Sequence, residues 1–245
     1  MSARGASLAS IGLADLELFE GRAKDAVPIL TKGIVADLGD KRAEAAAVKM
    51  AALASAQLAS GETAAAVATA ERAVAASTGE NVLVPAARVY LEADREARAL
   101  EIAHELASRL EPDPQAYAHL IQGEVELRRG QPREAVQEFE AAKGIADTWL
   151  GRLDLGRAYL ELGAFTEADT ELDACVRRRG EATAIFLDDV PSYRYFPPAE
   201  YYLARAQAGL GSPAAADSFR AFLAMRGNGA ADPLVADARR RLGAH

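Results

Sequence analysis

Between Trp149 and Arg177 the apolar and polar positions alternate with helical rather than strand spacing. Leu153, Gly156 and Leu160 recur at three and four, with Leu155 and Tyr159 on an adjoining stripe, and beyond Gly163 the positions Ala168, Leu172 and Cys175 recur at four and three. The pattern predicts two amphipathic helices joined at Gly163. Such a pair cannot bury both apolar sides alone, so it predicts a unit that stacks on copies of itself.

Copies are present. A turn residue with a small residue seven positions before it and an Ala five after it occurs at Gly21, Gly61, Asp94, Gly130, Gly163 and Gly211, with spacings of 40, 33, 36, 33 and 48 residues. Leu13, Leu53, Leu155 and Leu203 precede the small residue of the first helix, and Leu30, Phe139 and Leu172 take the large position of the second. Two antiparallel helices on a short turn approach closely only where side chains are small. Gly156 and Ala168 are therefore expected to face each other, with large residues alongside. Gly at the turn supplies the left-handed backbone that ends the first helix. Pro132 and Pro213 lie near the starts of second helices, where a missing N–H does no harm.

Trp149, Leu155, Gly156, Tyr159, Gly163, Phe165, Ala168, Leu172 and Cys175 together resemble a tetratricopeptide repeat, and Gly123, Gly130, Ala135, Phe139 and Ala142 carry the same pattern one copy earlier. The resemblance implies an all-α fold, a right-handed superhelical solenoid of about six antiparallel helix pairs. It implies one domain over 1–245, with repeats near 7–40, 47–80, 80–113, 116–149, 149–182 and 197–230. The copy at Asp94 departs most: it has no turn Gly, and its first helix is expected to begin near Pro85. Arg220 stands at a position usually large and apolar. Leu234, Val235, Ala238 and Leu242 share one side of a stretch ending in Arg239, Arg240 and Arg241, which predicts a capping helix near 232–243.

Two spacings exceed the repeat. Before Gly61 the extra residues are GDKRAEAA, a charged connection or a lengthened helix. Before Gly211 they include Phe186, Tyr193, Tyr195, Phe196, Tyr201 and Tyr202 with Pro191, Pro197 and Pro198, and the prolines exclude a continuous helix. An insertion over 183–198 is expected, packed against the fifth and sixth repeats. Two readings stand: its rings serve internal packing, or Phe186, Tyr193, Tyr195 and Phe196 form an exposed interaction patch.

Composition narrows the function classes. Half of the 245 residues are apolar but only 6% are aromatic, which suits close-packed helices with small and aliphatic cores. A net charge of −8 argues against a general nucleic-acid or anionic-membrane surface. The lone Cys175 excludes an internal disulfide or a Cys-based zinc cluster, and its place in the repeat makes it buried filler. Asp15 and Glu17 interrupt the N-terminal ASLASIGLADLELF too early for an export segment, and no run nears the roughly 18 apolar residues of a membrane span. The chain reads as cytoplasmic, without membrane attachment. No GxSxG, HExxH, GxxxxGK or GxGxxG motif occurs, and His104, His119 and His245 have no metal-ligand spacing. The adjacent Asp188 and Asp189 read as helix-capping or solvated carboxylates. No enzyme activity, cofactor or metal is expected.

Binding is a different matter, because first helices of such an array line a concave surface. The inward positions are Ile11 and Asp15, Ala51 and Ser55, Val84 and Arg88, Leu120 and Glu124, Leu153 and Arg157, then Tyr201 and Arg205, with Tyr117 one turn earlier. Arg88, Tyr117, Leu120, Glu124, Leu153, Arg157, Tyr201 and Arg205 thus form a candidate groove for a peptide or helical segment, since guanidinium forks suit carboxylate or phosphate. Alternatively the three arginines pair with Glu92, Asp154 or Glu161. Family members that grip a C-terminal carboxylate use Asn and Lys on successive first helices; those are missing here. The expected function is a non-catalytic protein–protein interaction scaffold. The stretch from Trp149 onward is also similar to repeat tails of bacterial Ser/Thr protein kinases, which implies the alternative of a regulatory or dimerising tail. The chain has no kinase motif of its own.

Overall fold

Glycine sets the geometry of the stack at its turns. Gly21, Gly61, Gly130, Gly163 and Gly211 all take the left-handed conformation, with φ between 67° and 83°, and Asp94 takes it at 56° in the copy that lacks a glycine. Asp tolerates that region better than most residues because its short side chain bonds locally. The computed structural model describes residues 2–183, 185–186, 190–227 and 232–243.

Six helix pairs and a final helix follow from those turns among the described residues. The first helices are α1 (Ala3–Phe19), α3 (Ala43–Ala59), α5 (Glu80–Glu92), α7 (Pro112–Arg128), α9 (Trp149–Leu162) and α11 (Pro197–Gly209). Each is followed by its antiparallel partner: α2 (Ala23–Gly39), α4 (Thr63–Ala76), α6 (Glu96–Ala107), α8 (Pro132–Ile145), α10 (Phe165–Arg177) and α12 (Ala215–Arg226). Successive first helices touch one another, so they form the inner layer of the solenoid. The last helix, α13 (Pro233–Gly243), covers α11 and α12.

Close approach within a pair is asymmetric. A Cβ on Gly156 would lie 2.6 Å from Leu172 Cγ, and one on Gly123 would lie 2.4 Å from Phe139 Cε1. The large residue of the second helix therefore drops directly onto the glycine of the first. This corrects the expected contact of Gly156 with Ala168: the small residue makes room for a large one rather than for another small one.

Two further expectations change. Pro85 lies inside α5, which starts at Glu80, five residues earlier than expected. The ring sits in the second turn, where the one backbone bond it removes is near the helix start. The extra residues before Gly61 lengthen both α2 and α3 to 17 residues, with Lys41 (φ 58°) turning the chain between them.

That lengthened region holds a buried charge. Lys49 on α3 is 2% exposed and ion-pairs with Asp37 on α2, while its Nζ donates to Ser7 Oγ at 2.7 Å and Ser7 donates to Asp37 at 3.0 Å. Gly33 provides the space, since a Cβ there would meet Lys49 Cδ at 2.9 Å. Burying a lysine is costly unless its charge is paired and its donors are used, and here α1 and α2 supply the partners for this lysine of α3.

Candidate functional site

The stretch between α10 and α11 does not stay beside the repeats that flank it. Among its described residues, two 3-10 turns (Arg179–Thr183 and Tyr193–Tyr195) frame a strap that crosses the inner layer. Tyr117 on α7 donates its hydroxyl to the Ile185 carbonyl, and Phe186 packs on the Tyr117 ring at 5.7 Å. At the other end Tyr193 stacks between Phe19 of α1 (5.1 Å) and Phe196 (5.3 Å), and Phe196 in turn meets Trp149. Asp15 of α1 accepts from the backbone amides of Tyr193 (2.9 Å) and Arg194 (3.4 Å) and from the Arg194 guanidinium (2.9 Å). The insertion thus packs on the fifth and sixth pairs, as expected, and reaches the first and fourth as well.

The four insertion aromatics are placed accordingly. Phe186 and Phe196 are buried, Tyr195 sits edge-on to Phe186 under the Arg194 guanidinium, and Tyr193 is half-buried in its stack. Internal packing accounts for all four.

The arginines of the inner layer also have internal partners. Arg157 forks onto Glu124 (2.9 and 3.2 Å) and reaches Asp154 at 3.1 Å, while Arg88 bonds the other oxygen of Asp154. Two guanidinium groups and two carboxylates so alternate across α5, α7 and α9. Burial opposes the charge on Glu124, but Arg157 and Arg88 outweigh it and hold the carboxyl below its usual range. Asp154 is fully buried, and that burial pushes its carboxyl up despite the same two cations. Arg157 also lies 5.6 Å over the Tyr202 ring. Arg205 has the loosest pairing of the three, 3.5 Å from Glu161.

The residues expected to face inward do not share one environment. Arg88, Arg157 and Arg205 are half-buried, whereas Asp15 and Glu124 are buried beneath the cations they pair with. Tyr117, Leu120 and Leu153 are buried in the main core, and Tyr201 turns into the C-terminal cluster, where its hydroxyl donates to Asp237 on α13 at 2.8 Å. Residues four apart differ by about 40° around a helix, enough to put one between layers and the other on the surface.

Two openings remain on this face. One of about 280 Å³ is lined by Arg128, Arg157 and Arg205, by Glu92, Glu124 and Glu161, and by Leu127, Tyr202 and Leu234. The other, about 270 Å³, lies between the ends of the stack, against Leu18, Ser55, Arg194, Tyr195, Arg226 and Asp232. Arg226 of α12 donates there to the Leu18 carbonyl of α1 at 3.2 Å, joining last pair to first.

Other candidate groups resolve simply. Cys175 is buried, donates to the Trp149 carbonyl and has its thiol pushed up by burial, which keeps it in the thiol form. His119 bonds Glu138 at 2.7 Å. Among the described residues no group of three or more His, Cys, Asp or Glu could hold a metal, and no helix is long and apolar enough to cross a membrane. Asp188, Asp189 and His245 lie outside the described residues. Sequence reasoning missed Phe19, which shows only as one more apolar residue at a helix end.

No protein-family model matches the chain, and no curated protein matches it. Among solved structures it is similar to a chain of the APC/C hetero-tetramer Cut9–Hcn1, with TM-score 0.53 and 15% identity over 90% of this chain and 39% of that one. Against Pseudomonas aeruginosa PilF the TM-score is 0.50 at 16% identity, covering 98% and 99% of the two chains. A thermophilic TPR protein of Thermus thermophilus gives 0.50 at 20% identity, covering 78% and 94%. The chain spans about two fifths of the Cut9–Hcn1 chain it matches. At these identities the likeness is one of fold, and the fold of this chain is the tetratricopeptide-like helical solenoid.

Proposed function

We propose that the chain is a non-catalytic interaction scaffold that holds an extended partner segment on its inner layer, a surface its own strap partly occupies. Backbone docking carries this reading. Tyr117 binds the Ile185 carbonyl, Asp15 binds the Tyr193 and Arg194 amides, and aromatic rings anchor the segment between them. Main-chain bonds give such a surface affinity for extended chain in general, and pockets for the rings give it selectivity. The favoured partner segment is therefore aromatic and proline-bearing, like the strap, with flanking charges of both signs to meet the mixed cleft. Arg205, the most loosely paired of the three arginines, is the cation best placed to take a partner carboxylate.

A labelled peptide spanning residues 183–198 tests the reading by fluorescence anisotropy. The variant with Phe186→Ala and Tyr193→Ala loosens the strap and leaves the receiving surface intact. It is expected to bind the peptide, whereas the wild-type chain binds it far more weakly. A variant that keeps its helical circular dichroism yet fails to bind would sink the proposal.

A further inference from the structure

The N-terminal end of the solenoid presents an apolar face that no other part of the described chain covers. Leu13 and Leu16 on α1 are 57% and 48% exposed, and Val35 and Leu38 on α2 are exposed as well. Between the two helices runs a groove of about 450 Å³, lined by Ala3, Ala6, Ala9 and Leu13 of α1 and by Lys32 and Ala36 of α2. The groove is open because the α1 side chains that face it before Leu13 are small.

The stripe has a definite order. Ala6, Ala9, Leu13 and Leu16 follow one another at three, four and three residues, which is the seam spacing of paired helices, and all four are exposed. Small residues fill the N-terminal half of the stripe and leucines the C-terminal half. A second α1 laid parallel would set Ala on Ala and leave a gap, and Leu on Leu and crowd it. Laid antiparallel about a two-fold axis, it sets Ala6 against Leu16 and Ala9 against Leu13, and the partner's leucines enter the groove.

Charge follows the same order. Arg4 stands exposed at the start of α1. At its end Arg22 is shared among Glu17, Glu20 and Asp25, and with Lys24 beside them the three carboxylates outnumber the two cations, so that end is net acidic by one charge. Antiparallel pairing brings Arg4 of each copy to the acidic end of the other, whereas parallel pairing sets like ends together. From these three agreements of size, spacing and charge we infer that α1 and its groove form an isologous contact with a second copy of this chain. A two-fold contact must be complementary to itself, and this stripe is.

This contact uses exposed positions of α1 other than Asp15 and Phe19, which hold the strap, and it is tested on the full chain. Sedimentation velocity over a concentration series is expected to show mass rising from one chain towards two. Leu13→Glu, on an exposed position, keeps the helical circular dichroism and remains a single chain throughout. Arg4→Glu weakens the dimer several-fold, and Arg4→Glu combined with Glu17→Arg restores it. Under oxidation a mixture of Ala9→Cys and Leu13→Cys chains cross-links faster than either variant alone; the native Cys175 is buried and takes no part. The inference is overturned by a chain that stays single at every concentration, by a dimer indifferent to Leu13→Glu, or by fastest cross-linking in Ala9→Cys alone, which means parallel pairing.

Discussion

At its C-terminal end the stack is covered by α13, which seats Val235 and Ala238 against Tyr201, Phe219 and Phe222, whereas at its N-terminal end α1 and α2 leave Leu13, Leu16, Val35 and Leu38 facing solvent. Terminal pairs of a one-dimensional array each have one interface without a neighbour. One end meets that condition with a helix whose outer face carries Arg239, Arg240 and Arg241. The other meets it from within, through the Lys49–Asp37–Ser7 cluster that ties α1, α2 and α3 together under an uncovered surface. Burial of rings thus stabilises one end, and paired polar groups hold the shape of the other.

The contrast can be broken first at the capped end. Phe222→Ala removes a fully buried ring from a small cluster and is expected to cost about 3–5 kcal/mol, read from urea unfolding. Asp37→Ala leaves the Lys49 charge buried and unpaired, a loss of similar size at about 3–5 kcal/mol. If Lys49→Met combined with Asp37→Leu regains most of it, the open end needs volume there more than charge. Between the ends, Gly156→Leu forces a side chain into the space of Leu172 and costs about 1–3 kcal/mol or more by the same measurement, as overpacking does.

Acid and base should loosen the cap in turn. Burial opposes the charge on Asp237, but bonds from Arg241 and Tyr201 outweigh it and hold its carboxyl below the ordinary value. The unfolded chain takes up that proton first, so the contribution is complete above about pH 4 and is lost as pH falls through the lower folded value. Burial together with the Asp237 partner pushes Tyr201 up to about 12. Its contribution is complete below the ordinary tyrosine value of about 10 and is lost as pH rises through the raised one. Protection of α13 amides from hydrogen exchange should decline in both directions. The smallest effect belongs to the open end, where Leu13→Ser changes unfolding free energy by no more than about 0.5 kcal/mol in the single chain.

The repeat itself was legible because its determinants are local. Five turn glycines and Asp94 mark where the backbone turns left-handed, and helical spacing between them gives length and face. The same spacing indicated α13. The strap was only half legible: its prolines excluded a helix and its rings demanded burial, yet the contact of Asp15 with Arg194 joins residues 179 apart, and nothing in local pattern selects that partner. Nothing in the local pattern around Lys49 marks it as buried. Its burial depends on Gly33 and Asp37, which reach it only once α2 and α3 are both longer than the repeat requires. Arg88, Arg157 and Arg205 recur at one position of the first helices, with Asp154 and Glu161 within reach along the sequence as alternative partners, but the fork of Arg157 on Glu124 depends on how far each helix is rotated, which periodicity leaves open by tens of degrees.

An array of stacked pairs ordinarily behaves as a soft spring, with each joint contributing a little bend. Here Asp15 is fastened to the strap, and Leu18 to Arg226 of the last pair. Extension or tightening of the coil has to break those fastenings before the joints can share the strain. The chain should therefore respond to force as a clasp, stiff up to a threshold and compliant beyond it, with the part of the inner face under the strap uncovered only on the far side of that threshold.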